Sequence, residues 1–294
     1  MNNYTRRKEM KVIVELRGGL GNQLFCYAFG YAIAKQNGAQ LLIDSSMNDS
    51  GIQRDLEIQK FKIQYLRRIA IRYTKNKFLR LIGYNYIRRK FQIGLLTKTY
   101  SDEECYISFK KISIKHSTYF RGYWQNYRFF EEYRKEIQDM MKFVDKPSAG
   151  FDKWLRELEK SNSVSVHIRR GDYITLGWQL NEQYYIDAIN DIISNNINTK
   201  LYIFSDDLEY CKQFINKYYK DIEVSYVEYE SDNRTVEDLI LMSHCKQMIL
   251  ANSSYSWWAA YLNKKSNPRI ICPVYKQWKE SYYPDEWEKV KVSD

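Results

Sequence analysis

The chain has 294 residues, with 46 Lys and Arg against 36 Asp and Glu, a formal net charge of +10. Hydrophobic residues make up 44% of it, with only 12 Gly and 4 Pro, which excludes a disordered, low-complexity or collagen-like chain and allows a core without disulfide staples. Its five cysteines (Cys26, Cys105, Cys211, Cys245, Cys272) and three histidines (His116, His167, His244) are scattered without CxxC or ligand-pair spacing, which argues against a local zinc site and for a reduced, cytoplasmic compartment.

Residues 1–10 are polar and charged with no apolar run behind them, so no targeting segment is expected. The longest nearly apolar stretch, residues 25–34, is half of the about 20 residues a membrane-spanning helix needs. The expectation is a soluble or peripheral protein.

Residues 11–16 form a β-branched run and predict a strand; residues 17–22 are a glycine-rich turn. Leu24, Tyr27, Ala28, Tyr31 and Ala34 have helical spacing over residues 23–37, and Gly38 is a natural cap. Residues 41–43, ending at Asp44, complete a βαβ unit. Residues 60–98 then hold twelve Lys or Arg and no Asp or Glu, interleaved with apolar and aromatic residues. Such a segment is a solvated basic helical face, or a surface for anionic lipid or nucleic acid. A strand is expected at 118–121 and a helix at 129–143.

The Pro-Ser-x-Gly cluster at residues 146–150 marks the best domain boundary, giving domains at 1–147 and 148–294, with a C-terminal tail that could cross back to the first. A helix is expected at 151–158. Strands are expected at 163–168, 201–204, 223–227, 248–251 and 269–271, and helices at 184–194, 208–219, 235–243 and 255–263. Strict alternation of this kind predicts an α/β protein with parallel sheets covered by helices. Such sheets bind ligands beyond the C-terminal ends of their strands.

The polar motifs fall at those ends. Gly18-Gly19-Leu20-Gly21 allows close backbone approach to an anion at a helix start, or is merely a tight turn. It is not a dinucleotide fingerprint, because Leu24 stands where the third glycine would be. In His167-Ile168-Arg169-Arg170-Gly171-Asp172, two arginines suit a diphosphate, with Asp172 orienting one of them; a structural Arg–Asp network is the alternative. Asp206 and Asp207 could accept from a ribose or a guanine, or cap the next helix. Ser253 and Ser254 could donate to a phosphate, with Ser254 equally placed to be a helix cap. Trp257 and Trp258 read as core, with sugar stacking as the alternative. No kinase-type phosphate loop and no Asp-x-Asp occurs, so arginine is the cation at hand for a leaving diphosphate.

Residues 18–28, Gly-Gly-Leu-Gly-Asn-Gln-Leu-Phe-Cys-Tyr-Ala, resemble the N-terminal signature of the bacterial α-1,2-fucosyltransferases of glycosyltransferase family 11. Residues 166–173 resemble the His-x-Arg-Arg-x-Asp block that this family shares with α-1,6- and protein O-fucosyltransferases. Residues 204–207, 251–260, 122–125 and 284–287 are similar to further blocks, in the family's order. The match runs from about residue 11 to 287 and is weakest over 60–102.

The resemblance implies a GT-B architecture, two Rossmann-like domains facing across a cleft. It implies inverting transfer of L-fucose from GDP-β-L-fucose to the 2-hydroxyl of a terminal galactose, on a glycan or a lipid-linked oligosaccharide of O-antigen type, without an obligatory metal or other cofactor. Arg169 would hold the diphosphate, with Arg170 and Asp172 fixing the clamp. His167 and Asp206 or Asp207 would face the guanine. Ser253, Ser254, Gly19, Gly21 and Asn22 would bind the phosphates, and the N-terminal domain would carry most acceptor contacts. Another fucosyl linkage or another GDP-sugar is the nearest alternative. A nucleic-acid-binding protein would explain the charge but not the polar strand ends, so no nucleic acid is expected. For a base, Glu15, Asp44 and Asp172 are conceivable without a spacing argument. A dissociative route, in which a phosphate oxygen takes the proton, is preferred. The basic segment 60–98 could hold the enzyme at the anionic inner membrane face.

Overall fold

A computed structural model describes residues 10–102, 109–195 and 198–292; Cys105 lies outside them. The chain divides into two compact units, Met1–Lys142 and Phe143–Asp294. The division falls before the Pro-Ser cluster expected to mark it, because Phe143 already packs edge-on against Phe151 of the second unit, with ring centroids 5.4 Å apart. Among the described residues, no helix is long and apolar enough to cross a membrane.

In the first unit, strand β1 (Lys11–Glu15) leads into helix α1 (Leu20–Gln36) and strand β2 (Gln40–Asp44). A short helix α2 (Ser46–Asp49) and strand β3 (Arg67–Ile69) follow, then helices α3 (Lys77–Leu81) and α4 (Tyr84–Ile93) and strands β4 (Lys98–Ser101) and β5 (Thr118–Arg121). The sheet order is β3-β2-β1-β5-β4, parallel throughout. β1 lies in its middle, and Val12, Ile13 and Val14 are buried on both faces, as a central parallel strand requires. α1 carries no charge before Lys35 and is buried nearly all round.

The helix expected over 129–143 is broken. Single 3₁₀ turns at Tyr127–Phe129 and Glu131–Tyr133 precede helix α5 (Arg134–Met140). Tertiary contacts prevail over local periodicity there: Phe129 packs edge-on against Phe29, and Phe130 against Phe25.

The second unit alternates as expected. Helix α6 (Ala149–Lys160) is capped by Ser148, whose hydroxyl accepts from the Phe151 N–H and donates to buried Glu237. Then come β6 (Asn162–Ile168), α7 (Gly171–Leu176), α8 (Glu182–Asn195), β7 (Thr199–Ser205), α9 (Leu208–Tyr218), β8 (Glu223–Tyr226), α10 (Arg234–Ser243), β9 (Gln247–Ile249), α11 (Ser254–Tyr261), β10 (Arg269–Val274) and β11 (Glu288–Lys291). All strands are parallel, in the order β11-β10-β9-β6-β7-β8. Within the unit this is the Rossmann order, whose switch point lies between its first and fourth strands, β6 and β9. The tail does not leave this sheet before residue 292: β11 pairs with β10 and extends it, because parallel pairing satisfies backbone groups that a free tail would leave to water. Trp257 and Trp258 are fully buried core.

Candidate active site

The two strands at the switch point of the second sheet, β6 and β9, end in polar sequence. From β6 the chain enters Arg169 and Arg170. Arg169 is held between two carboxylates: its Nη2 donates to Asp172 Oδ1 at 2.6 Å, and its Nη1 lies 2.7 Å from Asp206 Oδ2. Arg170, between the end of β6 and the start of α7, takes a different carboxylate. Its Nε donates to Asp207 Oδ2 at 3.0 Å, and its guanidinium lies over the Tyr210 ring, 3.5 Å from the centroid. Its backbone N–H donates to Asp206 Oδ1 at 2.9 Å. The arginines therefore form two arginine–carboxylate pairs linked through Asp206, rather than one clamp closing on one point. Gly171 permits the link, since a Cβ there would stand 2.5 Å from Asp206 Oδ2.

Asp207 also caps α9, its Oδ1 accepting from the Tyr210 N–H at 3.1 Å. That bond first, and then Arg170, holds its carboxyl below the ordinary range. Ser253 caps α11, its hydroxyl accepting from the Tyr255 N–H; Ser254, the cap anticipated from sequence, is the first helical residue instead, because the chain is still extended at Ser253. Tyr173 joins the two strand ends: its ring lies 5.6 Å from the Arg169 guanidinium and its hydroxyl donates to the Asn252 carbonyl at 3.2 Å. Burial pushes the Tyr173 phenol up to about 12. His167 is buried, 5.6 Å from the Tyr255 ring. Burial first, and then the Arg169 charge, push its pKa down to about 3. It is a neutral imidazole whose Nδ1 has no hydrogen-bond partner. Sequence reasoning placed Tyr173 and Asn252 within the motifs but gave them no role, and did not single out Tyr210. Tyr173 and Tyr210 sit within one helical turn of Arg169 and Asp207, the signal that could have found them.

Gly19, Gly21 and Asn22 lie at the end of β1 in the first unit. α1 begins at Leu20 with Gly19 as its N-cap, so Gly21 and Asn22 belong to the first helical turn and not to the preceding loop. Gly18 turns the chain with φ of 62°. No side chain caps this helix and no acidic residue lies in its first turn, so its end keeps its positive potential. Buried Gln23 fastens the loop, donating to the Gly18 and Asp55 carbonyls and accepting from the Glu57 and Ile58 N–H groups. Asn22 Oδ1 accepts from Gln125 at 2.6 Å.

Glu15 and Asp44, at the ends of β1 and β2, are 1% and 0% exposed. The Tyr119 hydroxyl is 2.8 Å from a carboxylate oxygen of each. Arg89 lies 3.2 Å from Glu15 and 3.3 Å from Asp44. Arg17 takes the other Glu15 oxygen, and the Ser46 N–H the other Asp44 oxygen. Burial raises the Asp44 pKa against the pull of Arg89. All four oxygens are engaged, which seals this strand end. Among the described residues, no group of three His, Cys, Asp or Glu side chains could hold a metal ion. Cys26 and Cys245 are buried thiols with pKa raised to about 12, poor nucleophiles.

The model of the family described as Glycosyl transferase family 11 matches residues 2–291. The chain belongs to glycosyl transferase family 11. This family 11 enzyme is 33% identical over 279 residues to an alpha-1,2-colitosyltransferase of Escherichia coli, covering 90% of this chain and 91% of the relative. It is 30% identical over 289 residues to the O-antigen biosynthesis glycosyltransferase WbnK of Escherichia coli, covering 90% and 93%. It is also similar, at 23% identity over 267 residues, to the Mus musculus galactoside 2-alpha-L-fucosyltransferase Sec1, covering 87% and 65%. Among solved structures, fucosyltransferase NodZ from Bradyrhizobium superimposes with a TM-score of 0.58 at 17% identity, over 90% of this chain and 94% of that one. The likeness is one of fold, and the architecture of the family 11 enzyme is GT-B, built from two Rossmann-like units.

Proposed function

We propose that the enzyme transfers L-fucose, with inversion, from GDP-β-L-fucose to the 2-hydroxyl of a terminal galactose. The observation that carries this is the Arg169–Asp206–Arg170 arrangement at the switch point of a Rossmann-order sheet. A departing GDP gathers negative charge on its β-phosphate, and a guanidinium already oriented by Asp172 and Asp206 meets that charge without reorganising. Neutral His167, with a free Nδ1, and the Asp206–Asp207 carboxylates are suited to the guanine end. Ser253, Ser254 and the start of α11 are suited to the phosphates. In the first unit, the helix start at Gly19, Gly21 and Asn22 is a second element suited to an anion. The full engagement of Glu15 and Asp44 supports a dissociative route. There the acceptor hydroxyl attacks an oxocarbenium-like sugar and its proton passes to a phosphate oxygen of GDP. Arginine supplies the charge, so no metal is required.

The galactoside and O-antigen relatives support a terminal galactose on a lipid-linked oligosaccharide as the acceptor. A second donor is favoured by one observation: the colitosyltransferase, at 33% identity, is nearer than the galactoside fucosyltransferase at 23%. Colitose is L-fucose without its 3-hydroxyl. The test is GDP release from GDP-fucose and from GDP-colitose, on lactose, N-acetyllactosamine and Gal-β-1,3-N-acetylhexosamine, with EDTA present. Acceptor-dependent release and a product cleaved by α-1,2-fucosidase are expected. Release from GDP-colitose alone would move the donor assignment, and calorimetry showing no GDP binding would overturn the reading altogether.

A further inference from the structure

The basic segment that donor binding leaves unused folds into a helical pair with reversed polarity. On α4, the side turned inward carries Asn85, Arg89 and Ile93 at four-residue spacing. Asn85 accepts from the Thr74 N–H at 3.1 Å. Arg89 reaches the sealed carboxylates Glu15 and Asp44 and lies over the rings of Tyr73 and Tyr119. Ile93 is buried. These contacts lock the rotational phase of the helix with its charged residue inside. The outward side is then apolar: Tyr84, Ile87 and Phe91 follow i, i+3, i+7, and Leu95 and Leu96 extend the stripe. α3 adds Phe78 and Leu81. Phe91 is 72% exposed, Leu81 86% and Leu96 89%. A helix on a water-facing surface does the reverse and buries its apolar stripe; a contiguous exposed patch of this kind marks an interaction site.

We propose that this face docks the enzyme onto an anionic lipid bilayer. Charge selects the occupant. Lys75, Lys77, Arg80 and Arg88 flank the apolar side chains, and no carboxylate occurs between residues 60 and 98. A second copy of the same face would press like charge on like, whereas an anionic surface takes both the lysines and the apolar stripe. The chain continues into β4, whose Lys98 lines, with Lys110, Lys111 and Lys115, a cavity of about 540 Å³. α4 has ten residues and lies in the interface plane, since about 20 are needed to cross. The proposal is independent of which sugar is transferred.

The test is co-sedimentation of the full chain with vesicles of equal parts phosphatidylcholine and phosphatidylglycerol, and with phosphatidylcholine alone. Two triple variants accompany it, Phe78→Ser/Leu81→Ser/Phe91→Ser and Lys75→Gln/Lys77→Gln/Arg80→Gln, all at exposed positions. The parent is expected in the pellet with the mixed vesicles only. Each variant should lower the bound fraction by about tenfold, with thermal midpoint and turnover on a soluble acceptor unchanged. Equal sedimentation with both vesicle types, or variants that bind like the parent, would overturn the proposal. So would a dimer that the apolar variant dissolves while the parent ignores vesicles, which would assign the face to a second copy.

Discussion

Two clusters of arginine and carboxylate stand at the C-terminal ends of parallel strands, one in each sheet, and they differ chiefly in burial. At the end of the first sheet, Glu15 and Asp44 are closed off from water by Tyr119, Arg89 and Arg17. At the end of the second, the Arg169 and Arg170 side chains keep about a fifth of their surface exposed, and Asp172 keeps 43%. The same residue types thus make a structural seal in one place and a cluster open to solvent in the other. Desolvation decides between them: a sealed pair cannot exchange partners without leaving a buried charge uncompensated, and an open pair can.

The largest effect that would break this contrast belongs to the seal. Arg89→Ala leaves buried Asp44 without its cation, while Glu15 keeps Arg17, and should cost about 3–5 kcal/mol of stability, read from urea unfolding with the midpoint compared at constant slope; a loss within experimental error would mean the seal is as open as the site. Next comes Arg169→Ala, expected to lower kcat about 10²–10³-fold while the thermal midpoint hardly moves. Near-normal turnover in that variant would remove Arg169 from the chemistry. Asp207→Ala loses a helix cap and should cost about 1 kcal/mol, whereas Asp207→Asn, which can still cap α9, should lose less; equal losses would make Arg170 and not the cap the reason for Asp207.

The smallest effect is one of sign. Burial raises the folded-state pKa of Asp44 above its ordinary 3.8, so its contribution is full below 3.8 and is lost as pH rises through the raised value. The cap and Arg170 lower that of Asp207 below 3.8, so its contribution is present above 3.8 and is lost as pH falls through the depressed value. Asp44→Asn should therefore flatten the fall of stability above pH 3.8, and Asp207→Asn its fall below. Unfolding measured across that range checks both, and identical profiles for the two variants would erase the difference between the clusters.

Much of the second unit was legible in the sequence. Its strands and helices carry their signals locally, in buried β-branched runs and helical spacing, and each expected strand appears within a few residues of its place. The first unit was less legible. β3 and β4 are short, largely exposed strands in a segment patterned like helix, held by register with β2 and β5 and by one inward side chain each, Ile69 and Tyr100. The helix expected over 129–143 failed because Phe129 and Phe130 answer to partners in α1, about a hundred residues away. Arg89 read as one more surface cation among twelve, and nothing near it in sequence announces a buried carboxylate partner.

The sequence by itself determined the class of fold, the strand ends that carry polar residues and the block of cations free of acid, because each is written in residues close together along the chain. The tertiary structure alone decided that Asp206 bridges the two arginines, that Ser253 caps α11, that Glu15 and Asp44 are sealed and that α4 turns its apolar side to water. These depend on burial and on which distant residues meet, quantities that a closed sheet and its packed helices set and no local pattern contains.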